Sequence, residues 1–126
     1  MRSTIAGLML ANAALFLFGA VQHAGIRIGP FREPMIAPAA IVETLCALAL
    51  IGGAVAALGR RRRAWAAALA GNLVAIAGVA VGMVALAMGA GPRTASNDLY
   101  HRLMLVLAGG AILILSLPSG RSALRR

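Results

Sequence analysis

The stretch AWAAALAGNLVAIAGVAVGMVALAMGA, Ala64 to Ala90, decides the fold, because it holds no charged residue between Arg60-Arg61-Arg62-Arg63 and Gly91-Pro92. A helix needs about 20 mostly apolar residues to cross a bilayer. This segment is therefore a span, with Trp65 at its start, where an interfacial indole is expected. Upstream lies a second apolar segment, Met35 to Leu58, ended abruptly by the arginine run and carrying Pro38 in its first turn, where a missing N–H costs least. A first segment runs from about Ile5 to His23 with no charge between Arg2 and Arg27. Downstream, a fourth begins near Ser96 or Asn97, either of which can cap a helix, and reaches Leu117 before Pro118 and Gly120 stop it.

The expected architecture is all-α: an antiparallel bundle of four transmembrane helices, at about 5–23, 35–58, 64–90 and 97–117, forming one domain over residues 1–126. A cleaved leader would also begin with a charged residue and an apolar run, but it needs small residues before its cut. Neither Phe18-Gly19-Ala20 nor Gln22-His23-Ala24 supplies the pair, so the first segment is read as a retained span.

Composition agrees. Of 126 residues, 61% are hydrophobic and 12% charged, against roughly a quarter charged in soluble domains, and the mean hydropathy is +0.90. A water-soluble globule is excluded, and four spans leave no room for a separate soluble domain. All twelve basic residues are arginine, against three acids, Glu33, Glu43 and Asp98, for a net charge of +9. That field favours anionic lipid head groups. Nucleic acid is not an expected partner, since the arginines sit in loops and tails without a reading helix or aromatic platform. Cys46 is the sole cysteine, which excludes an internal disulfide or a CxxC pair. Arginine-rich, lysine-free usage suits a GC-rich bacterial genome.

Arginine counting orients the chain. Arg2, Arg60 to Arg63, Arg121, Arg125 and Arg126 fall on one side and Arg27, Arg32, Arg93 and Arg102 on the other, eight to four. By the positive-inside rule both termini and the middle loop are cytoplasmic, which places the chain in the bacterial inner membrane with all three acids on the outer half. In the third span Gly71, Ala75, Gly78, Gly82, Ala85 and Gly89 recur at steps of four and three, a stripe of small residues that lets another helix approach closely. The partner is either a helix of the same bundle or, in a homo-oligomer, a second copy meeting the Gly71, Gly78, Gly82 and Gly89 face.

The polar residues share a depth. His23 closes the first helix at the outer face beside Gln22; Glu43 lies about one or two turns below the outer end of the second; Asn97, Asp98, His101 and Arg102 open the fourth from the same face. Asn12, Phe16, Gly19 and His23 fall on one stripe, which aims His23 inward. The spacing therefore predicts an outer-leaflet pocket containing Glu43, His23 and His101 as a proton relay. Gln22, Asn97, Asp98 and Arg102 act as binding groups, with Tyr100 and Cys46 nearby. An ionisable residue inside a span is a site hypothesis by default, and histidine titrates near neutrality. The ordinary counterparts are an interfacial Asp98–Arg102 ion pair, a structural hydrogen bond from Glu43, Cys46 as a small core residue, and Asn12 and Asn72 as interhelical hydrogen-bond partners. Such a pocket suits quinone chemistry; two histidines on different helices also suit a haem iron. No short ligand spacing points to a metal site.

The segment Ile41-Val42-Glu43, followed by Leu48, Leu50, Gly52-Gly53, the arginine run and Ala66 to Leu69, resembles the DoxX-like family of small four-helix bacterial membrane proteins. Phe16 to His23 resembles the end of their first helix more loosely. The resemblance covers the first three helices and carries over one residue, Glu43, the glutamate early in the second helix. It implies an accessory or quinone-interacting subunit of a membrane redox system. His23 and the Ser96 to Arg102 segment lie outside it. Two other functions fit the residues: a small proton-coupled transporter, although the first span has no acid, and a non-catalytic membrane scaffold using the small-residue stripe.

Overall fold

The computed structural model describes residues 1–30 and 34–125. Arg32, Glu33 and Arg126, which enter the charge count above, lie outside the described residues. The chain forms α1 (Arg2–His23), α2 (Ala37–Leu58), α3 (Ala64–Ala87), α4 (Ala95–Ser116) and α5 (Pro118–Arg125). The first four, of 22 to 24 residues, are long and apolar enough to cross a membrane. At 1.5 Å per residue they reach about 33–36 Å, against a hydrocarbon layer of about 30 Å. The protein is a multi-pass membrane protein built as a four-helix bundle. Its large exposed side chains, among them Leu10, Leu45, Leu48, Leu73, Val84 and Val106, form an apolar belt that would be an aggregation surface in water and is an ordinary lipid contact in a bilayer.

α1 packs on α2, α2 on α3 and α3 on α4, and α4 closes back on α1, seated less closely than α1 and α2 are on each other. The two chain ends and the α2–α3 turn share one end of the bundle, the base; the α1–α2 and α3–α4 loops share the other, the rim. At the rim, α1 and α3 both end on a left-handed glycine, Gly25 (φ 87°) and Gly89 (φ 85°). The following N–H groups reach back five residues, Ile26 to Val21 O and Ala90 to Ala85 O, which satisfies carbonyls left over at the helix ends. α3 therefore stops at Ala87 and not at Ala90: hydropathy extends through Met88 and Ala90, but the backbone has already turned. α4 starts earlier than Ser96 or Asn97, because Thr94 is the cap, its Oγ1 accepting the Asn97 N–H at 3.1 Å.

The base holds an element the sequence reading lacks. Pro118 ends α4 but also begins α5, since proline is preorganised for a first helical position and its missing N–H is not needed there. α5 folds under the bundle with Leu124 fully buried and Gly120 set against the Ile114 carbonyl, where no side chain fits. Arg2 Nε donates to Ala123 O at 2.6 Å, tying the chain ends together, and Trp65 Nε1 donates to Leu115 O at 3.0 Å.

The small stripe of α3 is used within the chain. A methyl group at Gly71 would stand 2.7 Å from Ala49 O of α2, one at Gly78 would overlap Cys46 Sγ, and one at Gly82 would stand 3.1 Å from His101 Nε2 of α4. The face proposed for a second copy is thus filled at these three positions by α2 and α4; Gly89 meets nothing within 4 Å. Overpacking a close-packed core costs about 1–3 kcal/mol, so Gly71→Ala is expected to lower the thermal unfolding midpoint in detergent. Gly109→Ala, with nothing within 4 Å of its added carbon, is expected to leave the midpoint unchanged or raise it slightly.

Candidate functional site

Glu43 enters from α2, six residues below Ala37, about 9 Å along the helix. Its side chain turns toward α1, which carries the groups that can receive it. Glu43 is 8% exposed and so lies inside the protein. Its Oε2 is 2.8 Å from His23 Nδ1, close enough to share a proton, and this is the sole ion pair among the described residues. Its Oε1 is 3.4 Å from the Tyr100 hydroxyl of α4. Tyr100 in turn donates to Leu15 O of α1 at 2.8 Å. With its proton on Leu15 O, the phenol oxygen can accept from a protonated Glu43; rotated, it donates to the carboxylate. The three groups accommodate both states of the acid.

The Glu43 carboxyl group and the Tyr100 hydroxyl meet over Gly19. A methyl group at that position would overlap both the Tyr100 hydroxyl and Glu43 Oε1. The missing side chain is the notch in which carboxylate and phenol sit against α1, and it lies on the Asn12, Phe16, Gly19, His23 stripe that faces the bundle interior.

Beside the trio is a cavity of about 220 Å³, enclosed by α1 to α4 near the rim. Its walls are mostly apolar, including Phe16, Val42, Val79, Leu86 and Met104, and its polar lining comes from His23, Glu43, Asn97 and His101. Pro38, Val81 and Pro92 also line it and are exposed at the bundle surface, so the cavity opens outward. His101 Nδ1 lies 3.0 Å from Asn97 O; a carbonyl can only accept, so Nδ1 carries the proton. That leaves Nε2 of the neutral ring as an acceptor, lying over Gly82. Protonatable groups thus stand on the α1–α2 side and on α4, with an apolar space between.

Of the residues expected at the site, Glu43, His23, His101 and Asn97 line the cavity. Gln22, Asp98 and Arg102 do not. Gln22 is buried, and its Oε1 accepts no hydrogen bond among the described residues. Asp98 and Arg102 are exposed, and no ion pair joins them. Each is rotated about 100° from its inward neighbour, Asn97 or His101, and two solvated charges gain too little to hold long side chains together. Asp98 keeps its favourable place in the first turn of α4. Cys46 packs over Gly78 and lies 3.6 Å from Val74 O, outside the cavity lining. Among the described residues no group of three or more His, Cys, Asp or Glu converges as metal ligands.

Two positions of the candidate site carry more than the sequence reading gives them. Tyr100 is a direct partner of the acid and not merely a neighbour, and Gly19 shapes the notch. No protein-family model, curated protein or solved structure matches the chain.

A double-mutant cycle tests the notch. Gly19→Ala is expected to destabilise by about 1–3 kcal/mol. In a Tyr100→Phe background, where one of the two overlapped atoms is gone, the same change costs less, with a coupling of at least about 0.5 kcal/mol. Thermal unfolding of the four proteins in one detergent measures it.

Proposed function

We propose that this chain is a bacterial inner-membrane protein whose outer-leaflet cavity binds a quinone ring and exchanges protons with it, as an accessory subunit of a membrane redox system. The observation that carries the reading is the Glu43–His23 pair, 2.8 Å apart on the wall of an otherwise apolar cavity. A quinone is a flat apolar ring with a carbonyl oxygen at each end. Reduction to the quinol takes two electrons, from the redox partner, and two protons. Glu43 with His23 passes one proton to the oxygen at one end; at the other, the Asn97 side-chain amide can donate to the carbonyl oxygen, and His101, after taking a proton on Nε2 from the open outer side, passes the second.

Size agrees. An apolar cavity of about 150 Å³ takes up benzene, and the volume of 220 Å³ found here suits a substituted ring. The exposed lining at Val81 gives an isoprenoid tail a way into the lipid. The resemblance to DoxX-like proteins, which places a glutamate at position 43, points the same way, and the arginine asymmetry puts both termini in the cytoplasm and the cavity on the opposite side.

Short-tailed benzoquinone and naphthoquinone analogues are expected to bind the detergent-purified protein saturably in equilibrium dialysis. Ala85→Phe, which fills the cavity, abolishes that binding. Glu43→Gln weakens it about tenfold, the worth of a hydrogen bond to an ionisable group, and removes quinone-dependent redox activity from membranes that contain the chain. Both variants keep their helical circular dichroism. Binding that survives Ala85→Phe, or activity that survives Glu43→Gln, overturns the reading.

A further inference from the structure

The base of the bundle is chemically separate from the cavity. It carries Arg60 to Arg63 in the α2–α3 turn and Arg121 and Arg125 on α5, all exposed, while the two described acids, Glu43 and Asp98, lie toward the other end. Arg121 and Arg125 are one turn apart on α5, and both guanidinium groups lie over the Trp65 ring, 5.7 and 5.4 Å from its centroid. The ring is held in place by its own N–H, which donates to Leu115 O at 3.0 Å. α5 is held by buried Leu124 and by the close fit of Gly120 against the end of α4. Two cations are therefore fixed side by side, with no carboxylate within 4.0 Å among the described residues.

We propose that this end is a binding site for the phosphate of an anionic membrane lipid, built by Arg121 and Arg125 on Trp65 and extended by the arginine turn that precedes it. An aromatic face steadies a guanidinium while leaving its in-plane N–H groups for an acceptor, and that planar fork matches phosphate oxygens in pairs. Position selects the lipid over a free anion. Leu113 of α4, Leu117 between α4 and α5, and Leu58 of α2 are exposed, 66%, 45% and 53%, on or beside the elements that carry the arginines. They offer acyl chains a surface directly beside the cations, at the depth where an interfacial tryptophan sits. A phosphodiester at the head-group level brings an anion within reach of both guanidinium groups at once.

Trp65 is the single tryptophan, so its fluorescence reports on this site alone. The protein reconstituted in phosphatidylcholine is titrated with phosphatidylglycerol or phosphatidylcholine carrying brominated acyl chains, which quench the indole on contact. Brominated phosphatidylglycerol is expected to quench preferentially, and less so at high salt. In the Arg121→Gln/Arg125→Gln variant its binding constant relative to phosphatidylcholine falls by roughly 30-fold, about fivefold per arginine near an anionic surface. The rim variant Arg27→Gln/Arg93→Gln keeps the native preference. Equal quenching by the two lipids of the native chain overturns the proposal, and so does an equal loss in the rim variant. If inorganic phosphate displaces brominated phosphatidylglycerol as well as unlabelled phosphatidylglycerol does, the site takes a free anion and the lipid assignment falls. The native-chain comparison decides even where the double variant does not fold.

Discussion

A carboxyl group inside an apolar layer constrains the helices around it more than any apolar contact does. As an anion it is costly in such surroundings, and as an acid it still needs polar partners. Glu43 obtains them from two other helices, the His23 ring of α1 and the Tyr100 hydroxyl of α4, and it reaches both because Gly19 presents no side chain between them. Each partnership fixes a rotation: α1 must turn the Gly19 face inward, α2 must turn Glu43 toward α1, and α4 must turn Tyr100 toward Leu15. Apolar residues on these helices interchange with modest loss; these four positions do not.

The two ends of the bundle are built on different terms. Toward the base, backbones approach closely: Gly53 admits Met9, Gly71 admits the Ala49 carbonyl, and the Trp65 indole bonds across to α4. Toward the rim the same run of small residues on α3 continues, but α4 does not close fully upon it. Gly78 receives Cys46 and Gly82 receives the His101 ring, and the space left beyond them is the cavity. One sequence pattern thus serves for tight packing at one depth and for a void at another, and the difference lies in what the facing helix presents.

That explains how far the chain could be read without coordinates. The spans were legible because hydropathy and length are properties of one helix at a time, and the shared depth of His23, Glu43 and His101 followed from counting residues from the correct end of each antiparallel segment. Rotation about the helix axis was legible only in part. Asp98 and Arg102 have the spacing of a pair, yet spacing says which side chains neighbour each other and not whether that flank faces the interior. Asn97, His101, Met104, Ala108, Ala111 and Leu115 continue a single inward face of α4, with Tyr100 beside it, and the contrast between these residues and exposed Leu99, Leu103 and Val106 was the signal that would have separated them. α5 was missed for another reason. Proline stops a helix and also starts one, and only the docking of Leu124 shows that the second role applies at Pro118.

The distribution of titratable groups through the membrane bears on the choice between a redox site and a proton-coupled transporter. Moving protons across a bilayer calls either for protonatable or hydrated groups at successive depths or for one acid opened in turn to each side by a movement of the helices. Here Arg2 stands at the base end of α1, and Glu43, Cys46, Tyr100 and the histidines gather in the rim half, as do Asp98 and Arg102 at the start of α4. Below them the buried polar side chains among the described residues are Asn12, bonded to Met104 O, and Asn72, bonded to Ala68 O. Amides do not titrate, and among the described residues no donor reaches either amide oxygen, so in this conformation the acid is nearer to groups at the rim than to any at the base. That distribution agrees with the proposed bound ring, whose protons can come from one side as a neighbouring protein supplies or removes its electrons, whereas a transporter would have to open the same acid toward the base in a second conformation.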